Sequence, residues 1–448
     1  MTQSPEQLCQ ALIDAARKAG ADAADAMAAE GSSLSIEVRE GKLEHAERSE
    51  GVDLGIRVFV GQRQAQVSSS DTRADTLAAM AERAVAMAKE APEDPYAGLA
   101  DPSQLAQTWD LDALELCDPS DEPAPDALQA DALAAEAVCA AVDGISQVQS
   151  AAAGYGRHLV HLATSTGFSG GYARTARSLS CVGIAGNGTG MERDHDGDSK
   201  TFQSDLRSAE EIGRTAGERA VERLNARRPA TGAYPVLFDE RISSSLIGHL
   251  LSAANGAAIA RGSSWLKDSL GTQVLPTGLN VTEDPFRPRI SGSRPFDGEG
   301  LATRRREIVK DGVLTGWTLD LASARKLGME STANAARGIG SVPSPANWNI
   351  ELTQGTANRE DLVRDMGRGL LVTSMIGSTI NPNTGDYSRG ASGFWVENGE
   401  IAYPVNEVTI AGNLLDMLKA IVPANDARTH LSRVVPSLLV EGMTLAGN

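Results

Sequence analysis

Cysteine is scarce and scattered. Cys9, Cys117, Cys139 and Cys181 are the four in 448 residues, and no two form a CxxC pair. That spacing argues against a zinc ribbon and a disulfide framework, and leaves reduced thiols acting as small apolar residues. Positive charge is also short, with 41 Lys and Arg against 59 Asp and Glu and a formal net charge of −18. Nucleic acid relies on clustered basic side chains, so neither DNA or RNA nor an anionic membrane is an expected partner. No run reaches the about 18 apolar residues of a membrane helix. The opening MTQSPEQLCQALIDAARKAG has no apolar signal core. A cytoplasmic protein is expected. The zinc-peptidase signature HExxH is missing as well.

What is present suffices for two or three domains with cores. Apolar residues recur at helical spacing over 6–19, and an alternating meander of about four strands follows up to Asp71. An alanine-rich helix over 72–90 closes this unit. Residues 92–130 hold no Lys or Arg and many Pro, Asp and Glu, which predicts an irregular, solvated acidic excursion. A helix over 127–142, further strands and a long helix over 204–226 come next. NARRPATGAYP then marks a boundary between domains 1–228 and 229–448. In the second domain YPVLFD reads as a buried strand and Asp239 as the cap of the following helix. KDGV and ENGE are two-residue hairpin turns, since Asp-Gly and Asn-Gly tolerate positive φ at both central positions. The expected fold class is α+β: an N-terminal mixed α/β domain, then a β-rich antiparallel domain.

Each chemical candidate has a plain structural alternative. Gly186, Gly188 and Gly190 follow a strand, but acidic residues come next and would repel phosphate, so a turn is expected. DHDGD, 194–198, lacks the twelve-residue ligand pattern and closing Glu of a calcium loop. His158 and His161, three apart on a strand, point to opposite faces and cannot share one metal. GDYSRGASG, 385–393, offers Asp386, Tyr387, Ser388 and Arg389 between glycines. It reads either as a substrate-binding stretch, with Arg389 able to hold a carboxylate, or as a loop positioning the Asn-Gly hairpin. His249 lies on the helix after Asp239, where a satisfied core histidine is the default reading.

Longer stretches carry more information. GDYSRGASGFWVENGEIAYPVNEVTIAGNL, REIVKDGVLTGWTLDLASARKLG, SSWLKDSLGTQVLP and IEVREGKLEHAERSEGVDLGIRVFVGQRQAQVSSSD together resemble the TldD/PmbA (TldD/TldE) metalloprotease family, on the side of its TldE (PmbA) subunit. The resemblance runs through nearly the whole chain. It implies a cytoplasmic heterodimer with a TldD-like chain, acting on unfolded or small peptides to degrade or mature them. In that partner a helix carries HExxxH, with two zinc-binding histidines and a glutamate base, and a late cysteine adds a ligand. Carried over here, the motif falls on Ser244, Ser245 and His249, and the cysteine near Val435. A zinc site usually takes three ligands from His, Cys, Asp or Glu, so no metal and no cofactor is expected in this chain. The resemblance therefore implies a subunit inactive by itself, which completes a chamber and binds substrate. Exposed strand edges beside the Asn-Gly hairpin would accept the peptide as an added strand. Two other readings are open: a stand-alone peptidase with its site around Tyr387–Arg389, or a regulatory binding protein acting on gyrase. A homodimer is possible when the chain is alone.

Overall fold

The structure is a computed structural model, and it describes residues 3–448. α1 (Pro5–Ala19) starts at a capping box between Ser4 and Gln7 and ends on left-handed Gly20. β1 (Ala23–Arg39), β2 (Lys42–Val60) and β3 (Arg63–Ser69) follow, then α2 (Ala74–Glu90). The meander thus has three strands, not four. β1 and β2 pair over their whole length from Ala23↔Phe59 to Arg39↔Lys42, and Gly51 lies opposite Gly31 without breaking the ladder. The reversal between them is a Glu40-Gly41 turn with φ of 54° and 71°. α3 (Pro125–Ala140), β4 (Ile145–Thr164), β5 (Ser169–Ala185), β6 (Glu192–Lys200) and α4 (Ala209–Glu222) complete this half. The sheet order is β3-β2-β1-β4-β5-β6. α1 and α2 cover one end through Leu8, Leu12, Ile56, Val58 and Leu77. α3 and α4 cover the other through Leu128, Ile212, Leu34 and Val38. α4 is shorter than the expected 204–226 because Ser208 caps it, accepting from the Glu211 amide.

Two acidic stretches are more structured than their composition suggests. On β6, Asp194, Asp196 and Asp198 share one face at period two and are neutralised from outside. Arg219 and Arg207 pair with Asp196, Arg223 and Arg241 with Asp194, and Lys200 with Asp198. The basic-free stretch, expected to be solvated, is irregular but packed. Leu105, Leu114 and Leu116 are buried, and Trp109 meets Phe296 edge-on at 5.0 Å. Arg325 donates to the carbonyls of Tyr96, Gly98 and Leu99. The segment straps the first sheet to the second half, since apolar anchors too irregularly spaced to mark an element still find a core.

The second half begins with β7 (Gly232–Phe238), running straight into α5 (Glu240–Ala253). α6 (Gly256–Arg261), β8 (Val281–Glu283), β9 (Arg306–Lys310), β10 (Val313–Leu314) and α7 (Leu321–Leu327) follow. β11 (Ala335–Ala336), β12 (Ser344–Pro345), β13 (Ile350–Leu352) and α8 (Arg359–Met366) lead to three long strands. These are β14 (Gly369–Ile380), β15 (Asp386–Glu397) and β16 (Glu400–Asn413). α9 (Leu414–Lys419), β17 (Val422–Pro423), β18 (Arg433–Val434) and β19 (Leu438–Ala446) finish the chain. Strand order β16-β15-β14-β7-β19, with β19 returning to β16 at Ala446↔Thr409, closes a five-stranded barrel. The expected purely antiparallel domain is corrected on two pairings: β7 runs parallel to β14, and β13 parallel to β18. One face of all five barrel strands meets α5 in a single cluster including Phe238, Val372, Trp395, Ile410, Val440 and Leu246.

The two halves are joined by buried charge. Arg337 Nη1 donates to Asp25 Oδ1 at 2.6 Å, and Arg57 donates to Asp25 Oδ2. Beside them the Glu299 carboxyl is buried; burial and the neighbouring Asp297 push it up to about 8, against the pull of Arg57.

Candidate functional site

α5 is where the matched motif falls, and Asp239 sets it. This aspartate caps the helix by accepting from the Arg241 amide and also pairs with Arg241 and Arg359. Ser243, Leu246, Ile247, Leu250 and Leu251 are its buried side. Ser244, Ser245, Gly248 and His249 form a half-buried stripe next to it. The helix is regular through this stretch, so Ser244 and His249 stand about 140° apart around its axis. Gly248 lies on the same stripe. A Cβ on it would lie 3.0 Å from Arg433 Nη1, so the missing side chain makes room for a guanidinium.

β18 brings the late segment alongside. Ser243 Oγ donates to the Val435 carbonyl at 3.4 Å, and Val435 is buried. The helix that carries Ser244, Ser245 and His249 is therefore packed, through Ser243, against the segment that carries Val435. Their chemistry does not fit zinc. Ser244 and Ser245 are neutral hydroxyls, Val435 is apolar, and His249 is the single ordinary zinc donor of the four. Among the described residues no group of three His, Cys, Asp or Glu is placed to hold a metal ion.

His249 is also not the satisfied core histidine of the default reading. Its Nε2 and the Ser245 Oγ are both buried without a hydrogen-bond partner. Burial, helped by the charge of Arg389, lowers the imidazole to about 4, so it is neutral at neutral pH. Its ring meets Tyr387 edge-on with centroids 5.9 Å apart.

The residues 386–389 lie on β15 instead of in a loop, and strand alternation splits them. Tyr387 and Arg389 share the inner face, where Tyr387 is fully buried; burial pushes its phenol up to about 12 against the pull of Arg389. Arg389 Nε donates to the Gly377 carbonyl at 2.7 Å, at a register shift in β14. Asp386 is exposed and accepts from Thr384 and Asn413, which lower its pKa and tie the hairpin end. Ser388 lies on the opposite face. No nucleophile and base are brought together here. β15 also pairs on both sides, with β14 and β16, so it has no free edge for an added strand. The residue that sequence reasoning missed is Arg433. It is exposed, and its side chain makes no hydrogen bond or ion pair among the described residues. Its one sequence signal is its place two residues before Val435.

A helix laid against a closed five-stranded barrel, beside a six-stranded sheet covered by helices, defines an α+β protein with no metal-holding group among the described residues. Comparison with known proteins gives the particular family. Residues 24–88, 118–224 and 231–447 match, in order, PmbA/TldA metallopeptidase domain 1, central domain and C-terminal domain. The chain is 38% identical to the metalloprotease PmbA of Escherichia coli O157:H7, over 95% of this chain and 92% of that one. It is 37% identical to a PmbA homolog of Haemophilus influenzae, over 100% and 97%. A Bacteroides thetaiotaomicron crystal structure, described as a candidate modulator of DNA gyrase, aligns with TM-score 0.92 at 28% identity over the whole of both chains. TldE from Thermococcus kodakarensis shares the fold, with TM-score 0.85 at 21% identity over 98% and 100%. The chain belongs to the PmbA/TldD metalloprotease family, as a subunit of the TldE/PmbA type.

Proposed function

We propose that this chain is the subunit without metal in a two-component, cytoplasmic metallopeptidase that degrades or matures peptides. A TldD-like chain brings the zinc and the general base. This chain completes the chamber and holds substrate, with Tyr387 and Arg389 on its wall and residues 1–228 and 229–448 acting as its two domains. The observation that carries the reading is the meeting of α5 with β18. The contact of Ser243 with the Val435 carbonyl supports it, since Ser244 and Ser245 next in the chain, and Val435 itself, supply neither ligands nor base. Water activation at neutral pH needs a metal or a carboxylate, and hydroxyls provide neither.

The test is reconstitution with a TldD-like chain. The pair is expected to copurify and to cleave an unfolded peptide in a chelator-sensitive way, while this chain alone stays inactive and holds no stoichiometric zinc. Zinc bound one-to-one by this chain alone, or a pair no more active than the partner by itself, defeats the proposal.

A further inference from the structure

Several arginines near the core of this acidic chain sit on a carboxylate, and others, such as Arg177 and Arg325, on backbone carbonyls. Arg57 sits on Asp25, Arg223 on Asp194, Arg306 on Glu283 and Arg359 on Asp239. Two more arginines lie at the stripe of α5. Arg433 Nη1 lies beside Gly248, and Arg389 follows by two residues on β15 the Tyr387 whose ring meets His249; neither has an acidic partner among the described residues. The same helix stripe holds the unpartnered His249 Nε2 and Ser245 Oγ. Buried polar atoms normally find partners, so two orphans on one helix face, with two uncompensated cations nearby, mark a place built for a polar, negatively charged group.

We infer that the stripe of α5 beside Arg389 and Arg433 is a carboxylate-binding site for peptides. A guanidinium fork matches the two oxygens of a carboxylate and holds them bidentately. Gly248 keeps the Arg433 fork against the helix. The Ser245 hydroxyl and the neutral His249 ring supply further hydrogen bonds to the bound group or to the peptide unit next to it. The Tyr387 ring, buried behind His249, limits the depth of the site. This inference deepens the proposed substrate-holding role, and rests on it for the ligand being a peptide. The carboxylate comes from the C-terminus or from an acidic side chain, and one set of probes separates the two.

The experiment is calorimetric titration of the full-length chain with three peptides: N-acetyl-tetra-alanine as the free acid, the same peptide as the amide, and an amidated N-acetyl-Ala-Ala-Ala-Glu. The free acid is expected to bind at least tenfold tighter than the alanine amide. Arg433→Gln should weaken it about tenfold to a hundredfold, the usual worth of a hydrogen bond to a charged group. Arg433→Lys should recover only part, because an ammonium has no fork. Arg433 is exposed, so these variants leave no cavity. Arg389→Gln gives an independent reading from the second guanidinium. If the glutamate peptide binds like the free acid, the site takes carboxylates of either origin; if it binds like the alanine amide, the site reads the C-terminus. Equal binding of alanine acid and amide, no binding of any probe, or parent-like affinity in both Gln variants overturns the inference. Each of those results leaves cleavage by the reconstituted pair untouched. Conversely, failure of the pair to form or cleave defeats the proposed function while the carboxylate preference stands.

Discussion

Replacing Asp25 by Asn tests whether the buried charge cluster holds the two halves together. The Asp25 and Arg337 side chains are 1% and 0% exposed, and Arg57 is 5% exposed. Arg337 Nε and Nη2 have no partner at all, so the contact to Asp25 is its compensation. Asparagine keeps an acceptor oxygen but removes the charge, leaving two guanidinium groups in the interior. Breaking a buried pair from one side costs about 3–5 kcal/mol, because the remaining charge is stranded. Replacing all three residues by apolar ones of similar volume should cost much less, since the desolvation penalty then disappears with the charges. Guanidinium unfolding followed by far-UV circular dichroism at neutral pH measures both. Burial raises the Asp25 carboxyl, but Arg337 and Arg57 outweigh it and hold it below its ordinary value of 3.8. A depressed carboxylate contributes its stabilisation fully above the unfolded value, and loses it as pH falls through the folded one. The difference between parent and Asn variant should therefore be constant above about pH 5 and shrink in acid. A loss under about 1 kcal/mol at neutral pH, or one that grows in acid, refutes the reasoning.

Three further outcomes are expected. Glu299, raised to about 8 by burial and Asp297, stabilises fully below its ordinary value of 4.5 and loses that contribution as pH rises through about 8. Glu299→Gln, whose amide oxygen can still accept from the Leu321 amide, should flatten the decline across that window; an unchanged pH–stability profile counts against it. Gly248→Ala should leave α5 as stable as before, or up to about 1 kcal/mol more so from helix propensity. It should also weaken binding of free-acid peptide by displacing Arg433; unchanged affinity would show that Arg433 is not seated there. Asp239→Ala removes a cap and the partner of Arg241 and Arg359, and should lower the unfolding free energy by at least about 1 kcal/mol. Asp239→Asn, which keeps the cap acceptor, should recover part of that loss in the same denaturation assay.

Local signals were readable and long-range closures were not. The turns at Asp311-Gly312 and Asn398-Gly399 carry positive φ at both positions, 50° and 78°, then 54° and 77°, as their dipeptides imply. Asp239 caps the helix it was expected to start. Barrel closure, by contrast, depends on Thr409–Ala411 meeting Thr444–Ala446, and no local pattern encodes that contact. The glycines of GDYSRGASG read equally as loop because their reason is tertiary. A Cβ at Gly393 would lie 1.9 Å from the Leu371 carbonyl, so this glycine permits close strand approach inside a ladder. The strap 91–124 hid its anchors because Leu105, Trp109, Leu114 and Leu116 follow no period. At the site, His249 and the two serines were visible as a depleted motif, whereas Arg433 was not. It lies in a two-residue strand far along the chain, and only folding places it over Gly248.

That placement bears on how such a site can lose hydrolysis and keep a use for its location. A catalytic zinc ion supplies two things, a concentrated positive charge and a bound water made acidic enough to attack. Guanidinium groups can replace the first and not the second, since they orient and neutralise an anion but have no open coordination position. On the proposed reading, a hydroxyl for a ligand at Ser244 and for the base at Ser245, with Arg389 and Arg433 nearby, retains attraction for a negative group while discarding the activation of water. The neutral state of His249 fits the same division, because a second positive charge beside Arg389 is disfavoured and a neutral ring can still donate or accept one hydrogen bond. A peptide held by its carboxylate at this stripe is presented and not cut, and the bond broken must then lie where another chain brings metal and base.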